Sequence, residues 1–204
     1  MLDSTTTPAA VVSAQVDWAS AFDRIDPTLA IFKFQKLGLR SSLIPTLISY
    51  LTDRSMQVRF KGKESSQRQL IGGGPQGTLV GVYEYIVASD DCASDIEPED
   101  RYKYIDDLTL VEMILLSSTL VEYDFQNHVA SDIGTDHLFL PPETFASQQR
   151  LDNIVSWTDK NLMLLNEKKS NYIIFTRSKS QFSTRLQMNN QNLERQSVTK
   201  ILGM

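Results

Sequence analysis

The chain has 204 residues, 41% hydrophobic and 22% charged, with a net charge of −5 and a pI near 5.1, the make-up of a globular domain with its own core. No apolar run approaches the ~18 residues of a membrane span and no secretory leader is seen. A single cysteine, Cys92, excludes an internal disulfide or a cysteine-based zinc site and fits a reducing intracellular compartment, cytoplasm or nucleus. His128 and His137 are too far apart for an HExxH zinc motif. The acidic balance argues against strong nucleic-acid binding by the whole surface. Basic residues nevertheless gather at Arg54, Arg59, Lys61, Lys63 and Arg68, and again at Lys168, Lys169, Arg177 and Lys179.

In chain order, residues 1–10 read as a loose end and 11–204 as one domain. Val12, Ala14 and Val16 alternate with Ser13, Gln15 and Asp17, the period of a half-buried strand that delivers Asp17 at its end. Asp26-Pro27 starts a helix, because Asp can cap the first free amides and Pro suits the first helical position. That helix runs to Gly38, with Leu29 and Phe32 against Lys33 and Lys36 defining its two faces. A second helix, 42–51, carries Leu43, Leu47, Ile48 and Leu51 at core spacing. Met56, Val58 and Phe60 then alternate with polar residues before the Lys61-Gly62-Lys63 turn, and Gln69-Leu70-Ile71 completes a hairpin. The breaker Gly72-Gly73-Gly74-Pro75-Gln76-Gly77 lacks the Gly-Lys-Ser/Thr of a P-loop. Residues 78–88 are apolar enough for a buried helix, and 90–100 form an acidic linker.

Residues 102–110 are the pivot of the chain. Two runs rich in aromatic and branched residues flank Asp106-Asp107, which predicts two short strands meeting at a tight turn. Adjacent carboxylates disfavour each other's ionisation unless a cation or proton intervenes. Asp also serves ordinary turns for backbone reasons, so this stretch alone leaves both readings open. Beyond it, 111–129 is mixed, 130–142 is a loop, and 143–161 is a helix with Phe145, Leu151, Ile154, Val155 and Trp157 facing the core. Strand-like runs at 162–165 and 172–175 flank Asn166-Glu167-Lys168-Lys169-Ser170. A weaker strand at 185–188, a turn at Asn189-Asn190 and the segment 198–203 complete the chain.

Four stretches fall into one order: Asp17-x-x-x-Ala21-Phe22-Asp23, Gly74-Pro75-Gln76-Gly77, Tyr104-Ile105-Asp106-Asp107 and Asn166-x-x-Lys169-Ser170. The series resembles the successive palm motifs of reverse transcriptases, most nearly the non-long-terminal-repeat retrotransposon type, and Ile201-Leu202-Gly203 looks like the opening of the primer-grip motif. The resemblance spans 15–203. It implies an α+β fold, a palm-like antiparallel sheet backed by helices near 27–37, 42–51, 78–88 and 143–161. Fingers and thumb are expected to be largely missing, since 16 residues precede Asp17 and the chain ends at Met204.

The same resemblance implies RNA-directed DNA polymerisation, with RNA template, DNA primer and deoxynucleoside triphosphates as partners. Two Mg²⁺ ions, with Mn²⁺ as a substitute, would be held by Asp17, Asp106, Asp107 and the main-chain carbonyl of Trp18. Phe22 would lie beneath the incoming sugar and exclude a 2′-hydroxyl. Gln76 and Gly77 would meet the nucleotide or template, and Lys169 would act as general acid or countercharge toward pyrophosphate. One departure stands out: Thr78-Leu79-Val80-Gly81-Val82 replaces the family's Ser and later Gly-Pro or Ser-Pro step, leaving the packing of that helix open. Two readings follow, a palm fragment of a retroelement polymerase, completed by other regions or a larger polyprotein, and a catalytically inactive palm remnant serving as a nucleic-acid-binding or structural module.

Overall fold

The computed structural model describes residues 8–115, 137–139, 145–176 and 181–197. They form a mixed α/β fold with a five-stranded sheet and four α-helices among the described residues. Two compact units are present: Met1–Asp17, Asp95–Val155 and Asn166–Met204 make the first, Trp18–Ser94 and Ser156–Leu165 the second. Elements are numbered in chain order.

The first unit is built on β1 (Pro8–Val16), which begins inside the segment expected as a loose end. It pairs antiparallel with β7 (Asp107–Leu115) on one side and β9 (Asn171–Thr176) on the other. The edges are β6 (Arg101–Tyr104), antiparallel to β7, and β13 (Glu194–Arg195), parallel to β9, so the sheet is mixed where an antiparallel one was expected. Ala10, Val12, Ala14 and Val16 are buried along one face, opposite Ile114, Glu112, Leu110 and Leu108. Cross-strand partners share a face, which puts the Glu112 carboxylate in an apolar row. It is satisfied by α4 (Ala146–Asn161): Oε1 accepts from the Ala146 amide at 2.9 Å, and Oε2 from the Ser147 amide at 2.8 Å and hydroxyl at 2.6 Å. An anion at free helix N-terminal amides is favourable by about 1 kcal/mol, and Glu112 thereby fixes the helix over this face. Phe145, Leu151 and Ile154 bury as expected.

Smaller pairings complete this unit. β8 (His137–Phe139) runs parallel to β10 (Gln181–Ser183). β11 (Gln187–Met188) meets β12 (Gln191–Asn192) across the expected turn, where Asn189 and Asn190 have φ of 50° and 60°, left-handed angles that Asn tolerates. Most of 116–144, together with Arg177, Lys179 and the Ile201-Leu202-Gly203 motif, lies outside the described residues.

The second unit is helical with an exposed hairpin. α1 (Pro27–Lys36) starts as expected, the Leu29 amide donating to Asp26 Oδ1 at 2.9 Å, and ends before Gly38 at φ 90°. Its buried residues are Ala30, Ile31 and Lys33, while Phe32 is 50% exposed. In α2 (Ile44–Leu51), Ile44 and Leu51 join Ile31 in a core with Leu47 beside them; Leu43 and Ile48 face solvent. α3 (Leu79–Ala88) buries Gly81, Glu84 and Tyr85 but exposes Leu79, Tyr83 and Ile86, so it is one-faced and not fully buried. β2 (Ser55–Met56) pairs with β5 (Arg68–Gln69), and β3 (Arg59–Phe60) with β4 (Lys63–Glu64), forming a hairpin exposed along its length. In place of a strand at 162–165, only a single bridge joins Leu165 to Trp18.

Lys33 is buried because its charge is fully engaged. Nζ donates to the Ala88 carbonyl at 2.6 Å, Asp91 Oδ1 at 2.6 Å and Asn161 Oδ1 at 2.7 Å, and lies 5.0 Å from the Trp157 ring centroid. Burial pushes the Asp91 carboxyl up, but hydrogen bonds from Lys33 and Trp157 more than offset this and hold it below its ordinary value. Lys33→Met keeps the aliphatic stem and strands three acceptors; it should cost about 3 kcal/mol, read as a lowered urea midpoint at neutral pH. Because the folded Asp91 value is depressed, its share of this stability is present above 3.8 and is lost as pH falls through the folded value. The penalty of Lys33→Met should shrink accordingly in acid.

No helix among the described residues is long and apolar enough to cross a membrane.

Candidate active site

The antiparallel register assembles the acids. Val16 lies opposite Leu108 and Gln15 opposite Thr109, so one residue further Asp17 comes level with Asp107. On the other side Gln15 pairs with Asn171, the first residue of β9, and the turn before it brings Lys169 close enough to act on the Asp17 carboxyl. Tyr104 pairs with Asp107, leaving Ile105-Asp106 as the two-residue turn of the β6–β7 hairpin. Asp106 is thus at the tip and Asp107 begins β7. Ile105 has φ 54°, a left-handed conformation that costs a branched residue about 1–2 kcal/mol and is worth a functional explanation.

The Asn166-to-Ser170 turn clamps Asp17 from behind. The Asp17 amide donates to Ser170 Oγ at 3.0 Å, its carbonyl accepts from the Asn166 amide at 2.9 Å, and the Ser170 hydroxyl donates to the Asn166 carbonyl at 2.9 Å. Asn166 and Ser170 hold Asp17 in place, a role the motif pattern does not assign them and their position just before β9 signals. The Asp17 carboxyl is raised above its ordinary value, first by burial and then by Asp106 and Asp107, against the lowering influences of Lys169 and a hydrogen bond from the Asn166 side chain. Its Oδ1 is buried and has no hydrogen-bond partner among the described residues. Asp106, Asp107 and Lys169 are exposed.

A partly desolvated carboxylate with an orphaned oxygen, set among two further acids, is a donor set suited to a hard divalent cation. Among the described residues no group of three or more His, Cys, Asp or Glu side chains is placed to hold a metal ion. Magnesium itself favours one or two carboxylates plus water and phosphate over an all-protein cage, so the residues fit it.

The remaining predicted residues belong to the second unit. Trp18, next to Asp17 in the chain, stacks edge-on against Trp157 with centroids 5.8 Å apart. Phe22, Gln76 and Gly77 line one cavity of about 180 Å³ with Pro75, Thr78, Gly81 and Val82. Phe22 is half-buried against Tyr85, centroids 5.0 Å apart. Gln76 Nε2 donates to Asp23 Oδ1 at 2.6 Å. The glycine run is zipped to the Phe22 segment by backbone bonds, Gly73 to the Ile25 carbonyl at 2.8 Å and Gly74 to the Phe22 carbonyl at 2.7 Å.

Gly81, a departure from the family pattern, has a local reason. A Cβ there would sit 2.2 Å from the Pro75 carbonyl oxygen, which no side chain tolerates. Thr78 caps α3 by accepting from the Gly81 amide at 3.1 Å and donates to the same Pro75 carbonyl at 2.7 Å. Loop and helix are therefore fastened together at the mouth of the cavity.

No protein-family model and no curated protein sequence matches the chain. Among solved structures it is similar to telomerase from Candida tropicalis in complex with a TWJ fragment of telomeric RNA, at 13% identity and a TM-score of 0.52, over 85% of this chain and 27% of that one. It is also similar to apo telomerase from Candida tropicalis truncated from the C-terminal domain, at 12% identity and a TM-score of 0.50, over 87% of this chain and 33% of that one. The likeness is one of fold, part of a telomerase, a reverse transcriptase, extending over most of this chain.

Proposed function

We propose that the chain is the palm of a reverse transcriptase, RNA-directed DNA polymerase, of retrotransposon type, acting on an RNA template, a DNA primer and deoxynucleoside triphosphates. The observation that carries this reading is the convergence of Asp17 with Asp106-Asp107 at one end of two paired antiparallel strands, with a buried Asp17 oxygen left without a hydrogen-bond partner among the described residues. Asp17 and Asp106 would hold a pair of Mg²⁺ or Mn²⁺ ions, with Asp107 adjacent. Bound there, the ions would supply neutralisation of phosphate charge and a lowered pKa for the primer 3′-hydroxyl. The chain's own part is positioning: the Asn166-Ser170 clamp fixes Asp17, and Lys169 offers a proton or a countercharge on the leaving pyrophosphate.

The test is stabilisation by metal together with catalysis. Mg²⁺ or Mn²⁺ should raise the thermal midpoint of the wild type and support primer extension on an RNA template. Metal stabilisation without extension would favour the inactive palm remnant; absence of both stabilisation and extension would remove the polymerase reading altogether. Phe22→Ala supplies a further prediction. With the ring gone from the cavity, discrimination against ribonucleotides in single-nucleotide extension should fall by about 10- to 100-fold.

A further inference from the structure

The hairpin of β2–β5 is chemically two-faced. Residues 53–69 hold five basic residues, Arg54, Arg59, Lys61, Lys63 and Arg68, against two acidic ones, in a chain whose net charge is −5. Arg59 is already neutralised, its Nε donating to Glu64 Oε1 across the strand pair at 2.7 Å. The neighbouring pair, Phe60 opposite Lys63, points the other way by the pleat. Phe60 is 68% exposed, and Lys61 Nζ lies 5.4 Å from its ring centroid. One ladder earlier Met56 pairs with Arg68, again an exposed apolar side chain beside a cation. Among the described residues Lys61, Lys63 and Arg68 have no carboxylate within ion-pair distance.

We propose that this hairpin is a docking surface for an unpaired RNA strand, Phe60 providing a stacking platform for a base and Lys61, Lys63 and Arg68 meeting its phosphates. The charge complementarity selects a polyanion, and the open ring selects one whose flat faces are accessible. A single strand offers both, whereas a duplex hides its bases and an acidic protein offers no stacked array. The identity of the strand as RNA rests on the polymerase reading. Surface and mode of contact do not, because they require neither metal nor catalysis.

The test is fluorescence anisotropy of labelled oligouridylate with the full chain in EDTA. Phe60→Ala should weaken binding about 5- to 150-fold, and Phe60→Trp should retain it. Lys63→Ala should reduce the slope of log K against log salt by about 0.7. Both positions are exposed, so urea midpoints should match wild type and report that the variants fold. The proposal is overturned if Phe60→Ala binds as wild type, if an RNA duplex or polyglutamate competes equally, or if oligodeoxythymidylate binds several-fold tighter than the RNA. Because metal is absent, these outcomes are distinct from loss of Mg²⁺ stabilisation at Asp17, which would count against the polymerase reading alone.

Discussion

Asp106→Asn should reduce RNA-templated primer extension by on the order of 10³-fold, and Asp17→Asn should do the same while leaving the metal-free fold at least as stable as wild type. The second half of that expectation follows from the environment of Asp17. Burial and the two acids of the hairpin hold its carboxyl above its ordinary value, and one oxygen has no hydrogen-bond partner among the described residues. Ionised Asp17 therefore opposes folding, and the opposition grows as pH rises from 3.8 through the folded value. An amide of the same shape removes the charge and should raise the metal-free thermal midpoint at neutral pH. Added Mg²⁺ or Mn²⁺ should reverse the order, stabilising the wild type and leaving the variant unmoved. Thermal midpoints of both proteins, with and without metal, separate a cation-binding acid from a structural one. Equal stabilisation of Asp17→Asn by metal would sink the assignment of this residue as a ligand.

Such an acid is legible in sequence because its neighbours are constrained locally. The alternation from Val12 to Val16 sets which way Asp17 leaves the strand, and the runs around Asp106-Asp107 demand a hairpin; two antiparallel strands then have only one end at which to place both. The Asp26 cap, the Gly38 stop and the Asn189-Asn190 turn were readable for the same reason, each being settled within a few residues. Long-range partners were not. In α1 apolar residues surround the helix at Leu29, Ala30, Ile31, Phe32 and Phe34, so periodicity could not show that Ile31 faces inward and Phe32 outward. Lys33 reads as a surface residue until Ala88, Asp91 and Asn161 are brought to it from 55 to 128 positions away. β13 has no alternating apolar pattern, and only its pairing with β9 makes the sheet mixed.

Glu84 lies in 78–88, whose apolar composition predicts a buried helix without marking a buried acid, and it carries the second large expectation. It is 0% exposed, neither carboxyl oxygen has a hydrogen-bond partner among the described residues, and burial raises its pKa from 4.5 to about 7 against the lowering influence of Arg54. Arg54 is committed elsewhere, donating to the Leu51 and Gly73 carbonyls. The folded state thus holds the Glu84 proton more tightly than the unfolded state does. Its contribution is neutral below 4.5, turns unfavourable as pH rises through about 7, and at higher pH reaches roughly 3 kcal/mol, a large share of a domain's net stability. Wild type should therefore lose stability between pH 5 and pH 8, and Glu84→Gln, neutral throughout, should lose much less; denaturant midpoints at the two pH values give the difference directly. The site also explains Gly74, since a Cβ there would lie 2.6 Å from Glu84 Oε2. Gly74→Ala should be destabilising in the wild type, and less so beside Glu84→Ala, which vacates that space. A pH dependence that survives Glu84→Gln unchanged would show that another group governs it.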